Sequence, residues 1–139
     1  MCTAEHISIT RELRAVLEVT PLDSENVDKE VLSKNSWENT KLVWFGSPTD
    51  PTLKFMDVSQ IACCPSFRPL LFVDNTFVSA LCSSPLILGA DIVLHSLRQY
   101  VNGHADVQMG AVVLPQSSSE GHTRFKDKFA PSNHHRRHL

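Results

Sequence analysis

Short apolar runs recur along the chain at Lys41–Phe45 (KLVWF), Leu70–Val73 (LLFV), Ile92–Leu94 (IVL) and Met109–Leu114 (MGAVVL). Each is bounded by polar or turn residues, the pattern of short buried strands. Between and before them the spacing turns helical. Ile9, Leu13, Val16 and Leu17 fall at i, i+4, i+7 and i+8, which predicts a helix over Ser8–Val19, capped by Ser8 or Thr10 and ended by Pro21. A second helix is expected over Ser24–Lys34. Asp23 or Ser24 caps it, Glu25 and Asp28 lie near its positive end, and Val27, Val31 and Leu32 form its apolar stripe. The polar run Asn35–Thr40 reads as a loop. A short helix starts near Asp57, turns Val58, Ile61 and Ala62 inward, and stops before Pro65. Leu81–Ala90 reads as a loop with one helical turn, closed by Gly89. Strands separated by short helices imply βαβ units, hence an α/β fold with a mainly parallel sheet. No internal repeat is visible.

Two segments break this pattern. Gly46–Thr52 carries Pro48 and Pro51, which exclude helix and predict a rigid, extended loop at a strand's carboxyl end. Loops in that place often present polar groups to a ligand. From Pro115 the chain turns polar, with three consecutive serines and the ending His134-His135-Arg136-Arg137-His138-Leu139. Without apolar periodicity, residues 115–139 read as a disordered polar tail behind one modest domain over 1–114. A sheet cut short there would expose apolar edges and dissolve poorly alone.

Composition narrows the function classes. The net charge of −2 gives no general attraction to nucleic acid or anionic membrane. No apolar run approaches the roughly 18 residues of a membrane span. The start, MCTAEHISITREL, carries Glu5 and Glu12 and has no long apolar core, unlike a signal peptide. Cys2, Cys63, Cys64 and Cys82 show no CxxC spacing, so they read as reduced thiols of a cytoplasmic protein, and no metal site is expected.

Candidate chemistry sits where two apolar runs end. The first delivers Asp74, Asn75 and Thr76; the second delivers His95, Ser96, Arg98 and Gln99. In an open α/β sheet, residues just past the carboxyl ends of strands line the ligand crevice. Asp74 suits a protonated ring nitrogen, Thr76 and Ser96 suit phosphate oxygens or a ring, and Arg98 suits phosphate. An acid after a strand is also a common turn or cap residue, so both readings stay open.

The segments Thr40–Thr52 (TKLVWFGSPTDPT), Phe72–Phe77 (FVDNTF), Pro85–Asp91 (PLILGAD) and His95–Gly110 (HSLRQYVNGHADVQMG) resemble the Cys/Met-metabolism family of pyridoxal-phosphate (PLP) enzymes, most closely its cystathionine γ-lyase branch. The resemblance covers the middle half of the chain firmly and the amino-terminal helices loosely. It implies an incomplete large domain of the aspartate-aminotransferase type. It assigns Asp74 to the PLP ring nitrogen, Thr76 to the ring's surroundings and Ser96 to the cofactor phosphate. Gly103, His104 and Asp106 match a G-H-x-D turn of structural role.

Departures from the family pattern bear on activity. Where the family reads S-A-T-K-Y, this chain reads Ser96-Leu97-Arg98-Gln99-Tyr100. Gln99 therefore stands at the lysine that bonds to PLP, and Arg98 at a phosphate-binding threonine. An amide is neither nucleophile nor base, so no covalent attachment and no catalytic residue is expected. Asp50 replaces the asparagine of the Pro-Thr-Asn-Pro loop, at the substrate-binding position, and Gly46 replaces a glutamate. Lys41 and Lys54 read as surface lysines. The region between Asp57 and Leu70 looks shortened, and the family's phosphate loop and carboxyl-terminal domain have no counterpart in the resemblance. Such a chain would be an inactive relative of the carbon–sulfur lyases. Alternatively it would be a binding module that holds PLP without a bond or docks on full-length family subunits. Self-association is a further expectation, and an active lyase the least favoured.

Overall fold

The computed structural model describes residues 17–22, 29–35, 39–63, 69–104, 106–117 and 120–129. In chain order these form α1 (Lys29–Asn35), β1 (Leu42–Gly46), α2 (Val58–Ala62), β2 (Leu70–Asp74), α3 (Ser79–Cys82), β3 (Ile92–Ser96), β4 (Gly110–Val113) and α4 (Glu120–Phe129). The sheet runs β1-β2-β3-β4. β1, β2 and β3 are parallel, whereas β4 returns antiparallel to β3. All the apolar runs read as strands are strands. Their shared direction in β1–β3 follows from helical or turn crossovers, while β4 comes back through the turn after β3.

One row of the register holds the core. Phe45 lies beside Val73, and Val73 beside Val93. Val73 and Val93 are almost wholly excluded from solvent. Leu71 lies on the same face, because side chains alternate along a strand. Leu32 of α1, Val58 and Ile61 of α2, and Ala90 cover this face. Burial of each Val or Leu contributes about 1.5–3 kcal/mol against its own ordering cost. On the opposite face, Trp44 meets Phe72 edge to face at 5.3 Å, and Leu70 and Ile92 are buried.

Local signals account for most boundaries. The Oδ1 of Asp57 accepts from the Gln60 amide at 3.0 Å and starts α2. Val58 and Ile61 turn inward as their spacing predicts, despite the short segment that follows. Gly89 closes the turn before β3 at φ +103°, and a Cβ there would lie 2.7 Å from the Ala62 Cβ. Glycine is needed for both conformation and space.

Three expectations change. Residues 8–16 of the Ser8–Val19 helix and 24–28 of the Ser24–Lys34 helix lie outside the described residues. Of the first, Leu17–Val19 is not helical. The loop after β1 is folded back rather than extended. Its Ser47–Pro48 and Asp50–Pro51 peptides are cis. Thr49, 2% exposed, donates its amide to the Lys54 carbonyl at 2.9 Å and accepts the Lys54 amide on its hydroxyl at 3.1 Å. These bonds close the loop on itself. The expected mainly parallel sheet is found, with only its last strand antiparallel. Finally, the expected disordered tail contains α4. Arg124 of α4 donates to Asp91 Oδ2 at 2.7 Å, a tertiary anchor that apolar periodicity cannot reveal. The segment 130–139, with its His/Arg cluster, lies outside the described residues.

Candidate functional site

The parallel strands end together, with Gly46 beside Asp74 and Asp74 beside Leu94. The chain leaving each strand is tied to its neighbour. The Ser47 amide donates to the Asp74 carbonyl at 3.2 Å, and the Asn75 amide to the Leu94 carbonyl at 2.9 Å. The Ser47 hydroxyl then clamps the loop by accepting the Met56 amide at 3.1 Å. These bonds extend the ladder past the strands and fix where the next side chains stand.

Asp74, Thr76 and Ser96 converge in one network. Asp74 Oδ1 accepts the Thr76 amide at 3.0 Å and the Thr76 hydroxyl at 2.6 Å. The same Thr76 oxygen accepts the Ser96 amide at 2.9 Å. The local part is a turn in which an aspartate caps the residue two places on. The long-range part sews β2 to β3. Thr76 thereby becomes a positioning group: its hydroxyl proton is given to Asp74 and its oxygen serves Ser96. All three residues are half-buried, so the network is not sealed inside.

The remaining candidates stand apart. Arg98 and Gln99 lie exposed on the turn after β3. That turn closes through Asn102 donating to the Leu97 carbonyl at 2.8 Å and Gly103 to the Gln99 carbonyl at 3.1 Å. Asn102 also donates its side chain to Asp106 Oδ1 at 2.6 Å, which gives the G-H-x-D segment its structural role. Asp50 is half-buried in the loop after β1 and has no hydrogen bond to the Asp74 network. Lys41 is exposed just ahead of β1, and Lys54 is half-buried in the loop after it.

Sequence reasoning gave Asn75 and Asp91 no role. Asn75 is fully buried and donates its side-chain amide to the carbonyls of Ser79 and Ser83 at 3.1 and 3.0 Å. It pins α3 under the end of β2. Asp91 is 1% exposed; its Oδ2 accepts the Leu71 amide at 2.9 Å as well as Arg124. The one available signal was position: each is a polar residue directly flanking an apolar strand.

The group implied by the resemblance can be tested against these donors. A protonated pyridine nitrogen needs a fixed anion, and Asp74, with one oxygen held by Thr76, is such an anion. A phosphate needs donors, and Ser96 and Arg98 carry them on the adjoining strand end and turn. A bond to an aldehyde needs an amine, and residue 99 carries a carboxamide. The residues present thus fit the ring and phosphate of PLP without fitting its covalent attachment. Among the described residues no helix is long and apolar enough to cross a membrane.

The family described as Cys/Met metabolism PLP-dependent enzyme matches residues 3–131. A putative cystathionine γ-lyase 2 of Caenorhabditis elegans is 42% identical over 112 residues, 78% of this chain and 28% of its own length. Cystathionine γ-lyase of Saccharomyces cerevisiae is 49% identical over 80 residues, 54% of this chain and 20% of its own. The crystal structure of cystathionine γ-lyase from Lactobacillus plantarum, complexed with L-serine, superposes with a TM-score of 0.71 at 32% identity. That match covers 86% of this chain and 31% of the other. The chain therefore spans between a fifth and a third of the length of these relatives.

Proposed function

The chain belongs to the Cys/Met metabolism PLP-dependent enzyme family, and from that premise we propose that it is a non-catalytic, cystathionine γ-lyase-like member that holds PLP without a covalent bond. The observation that carries the reading is Gln99, an exposed carboxamide on the turn after β3. An amide nitrogen has its lone pair delocalised, so it neither attacks a carbonyl nor carries a proton between substrate atoms at neutral pH.

The other residues still perform binding roles. Bound PLP supplies an electron sink for carbanions next to its ring. Asp74 holds the ring nitrogen through a charge-assisted hydrogen bond, and Thr76 keeps the carboxylate aimed. Ser96 and Arg98 take the phosphate. Asp50 places a negative charge where the family has a neutral amide, which disfavours a substrate carboxylate. Cytoplasm is the proposed setting, in which the exposed thiols of Cys63 and Cys82 stay reduced.

An absorption measurement tests the reading. The whole chain is mixed with PLP, dialysed and scanned, and assayed in parallel for release of cysteine from cystathionine. The expected result is PLP that binds before dialysis, leaves during it, and supports no cysteine release. A visible band that survives dialysis, or any turnover above free PLP, overturns the proposal.

A further inference from the structure

We infer that β4 is a self-pairing edge: a second copy of this chain adds its own β4 antiparallel to the first, about a two-fold axis at Val112, and joins the two sheets into one.

Backbone direction singles out the residues that pair. The Leu97 amide donates to the Met109 carbonyl at 3.0 Å, and the register places Ser96 beside Gly110 and His95 beside Ala111. In an antiparallel pair, bonded and unbonded partners alternate. Met109, Ala111 and Val113 therefore turn their amides and carbonyls toward β3. Gly110, Val112 and Leu114 turn theirs away from it. β4 is the last strand in the order β1-β2-β3-β4, so among the described residues no strand meets those groups. Its side chains are as bare as its edge: Met109 is 57%, Val112 60% and Val113 39% exposed.

The strand suits itself better than it suits a charged partner. A two-fold axis sets each residue against a residue of the same strand, so a charge near the axis would meet its own like. Residues 109–114 (MGAVVL) carry no charge. They also lack the lysines, prolines and bulges by which sheets guard an edge. β1, at the other edge, follows the exposed Lys41. With Val112 opposite Val112, Gly110 faces Leu114 in both copies, and the glycine leaves room for the leucine. Val112 shares its face with Leu94, its partner in β3, so pairing carries that apolar row across the axis. The chain's net charge of −2 adds little repulsion between copies. About six backbone hydrogen bonds form across the axis. One strand a side buries less than the roughly 1,200 Å² of a stable complex. The dimer is therefore weak, with a dissociation constant of about 10–100 μM.

Sedimentation velocity and hydrogen exchange on the full chain, from about 1 μM to about 1 mM, test the pairing. Monomer should give way to dimer and to nothing larger. The Val112 and Leu114 amides should become protected as the dimer forms, while those of Ala111 and Val113 stay as they were. Val112→Pro removes only an outward amide, a change that an edge strand tolerates. Val112→Lys changes an exposed side chain alone and sets two cations at the axis. Each should weaken the dimer at least about tenfold with the monomer's circular dichroism unchanged, and Val112→Lys carries the test if the proline variant unfolds. A monomer at every concentration overturns the inference, as does a dimer that Val112→Lys leaves intact. Growth beyond the dimer overturns it, because a second edge is then in use. Val112 protection that appears only on adding cystathionine γ-lyase of Saccharomyces cerevisiae overturns it as well, since the edge then takes a family subunit instead of its own copy.

Discussion

Two aspartates lie at opposite ends of the central strands, and their surroundings differ in kind. Asp91 precedes the amino end of β3 and is 1% exposed. Its partners come from afar: the Leu71 amide, 20 residues away, and Arg124, 33 residues away. Asp74 ends β2 at the carboxyl edge and is half-buried. The hydrogen bonds to its Oδ1 come from Thr76, two residues on. A carboxylate removed from water must be matched by charge and hydrogen bonds, or it costs several kcal/mol. Asp91 meets that demand through Oδ2, with partners that also close the sheet and dock α4, while its buried Oδ1 has no hydrogen-bond partner among the described residues; it belongs to the fold. Asp74 is shaped by a local turn and stays partly exposed, which makes it suited to a ligand.

The same substitution at both sites separates these roles. Asp91→Asn removes the anion facing Arg124 and leaves that cation beside a neutral amide. A loss of about 2–3 kcal/mol is expected, read as a lower urea midpoint for the whole chain. Faster hydrogen exchange should appear at the Leu71 amide. An unshifted midpoint would show that the Arg124 ion pair adds nothing to α4 docking.

This pair also marks what the chain discloses before folding. Asp74 was legible because it follows an apolar run and sits in FVDNTF. Asp91 was passed over because nothing near it in sequence names its partner. Arg124 lies in EGHTRFKDKF, a mostly polar stretch whose apolar residues are Phe125 and Phe129. Helices of that kind take stability from tertiary contacts, which spacing does not encode. The strands were readable to within a residue or two because burial of Val73 and Val93 demands runs of apolar side chains. The antiparallel direction of β4 was not, since MGAVVL has the same apolar character either way. The folded-back loop after β1 was missed for a related reason. Proline restricts φ, but the turn depends on Thr49 bonding to Lys54.

An intermediate effect is expected at Thr76, which links the two kinds of surroundings. Thr76→Val keeps the shape and the amide bond to Asp74. It deletes the hydroxyl bond to Asp74 and the acceptor of the Ser96 amide. About 1–2 kcal/mol of stability should be lost, because a half-buried amide is left without its partner. Ligand affinity should fall as well, since Asp74 then loses the Thr76 hydroxyl bond that helps aim it. Denaturation and titration of the same sample check both. Lost stability with unchanged affinity would make Thr76 a fold residue alone.

The smallest effect on stability belongs to Asp74→Asn. The new side chain keeps an oxygen for the Thr76 amide and hydroxyl. Stability should therefore move by less than about 1 kcal/mol, well below the loss at Asp91. Affinity should respond in the opposite order. A neutral amide oxygen pairs weakly with a protonated ring nitrogen, so PLP should bind about tenfold more weakly. Inorganic phosphate should bind as before, because it has no ring nitrogen to lose. A loss of stability at Asp74→Asn equal to that at Asp91→Asn would erase the distinction between the two carboxylates. Intact PLP binding would leave the carboxyl end of β2 without a part in recognition.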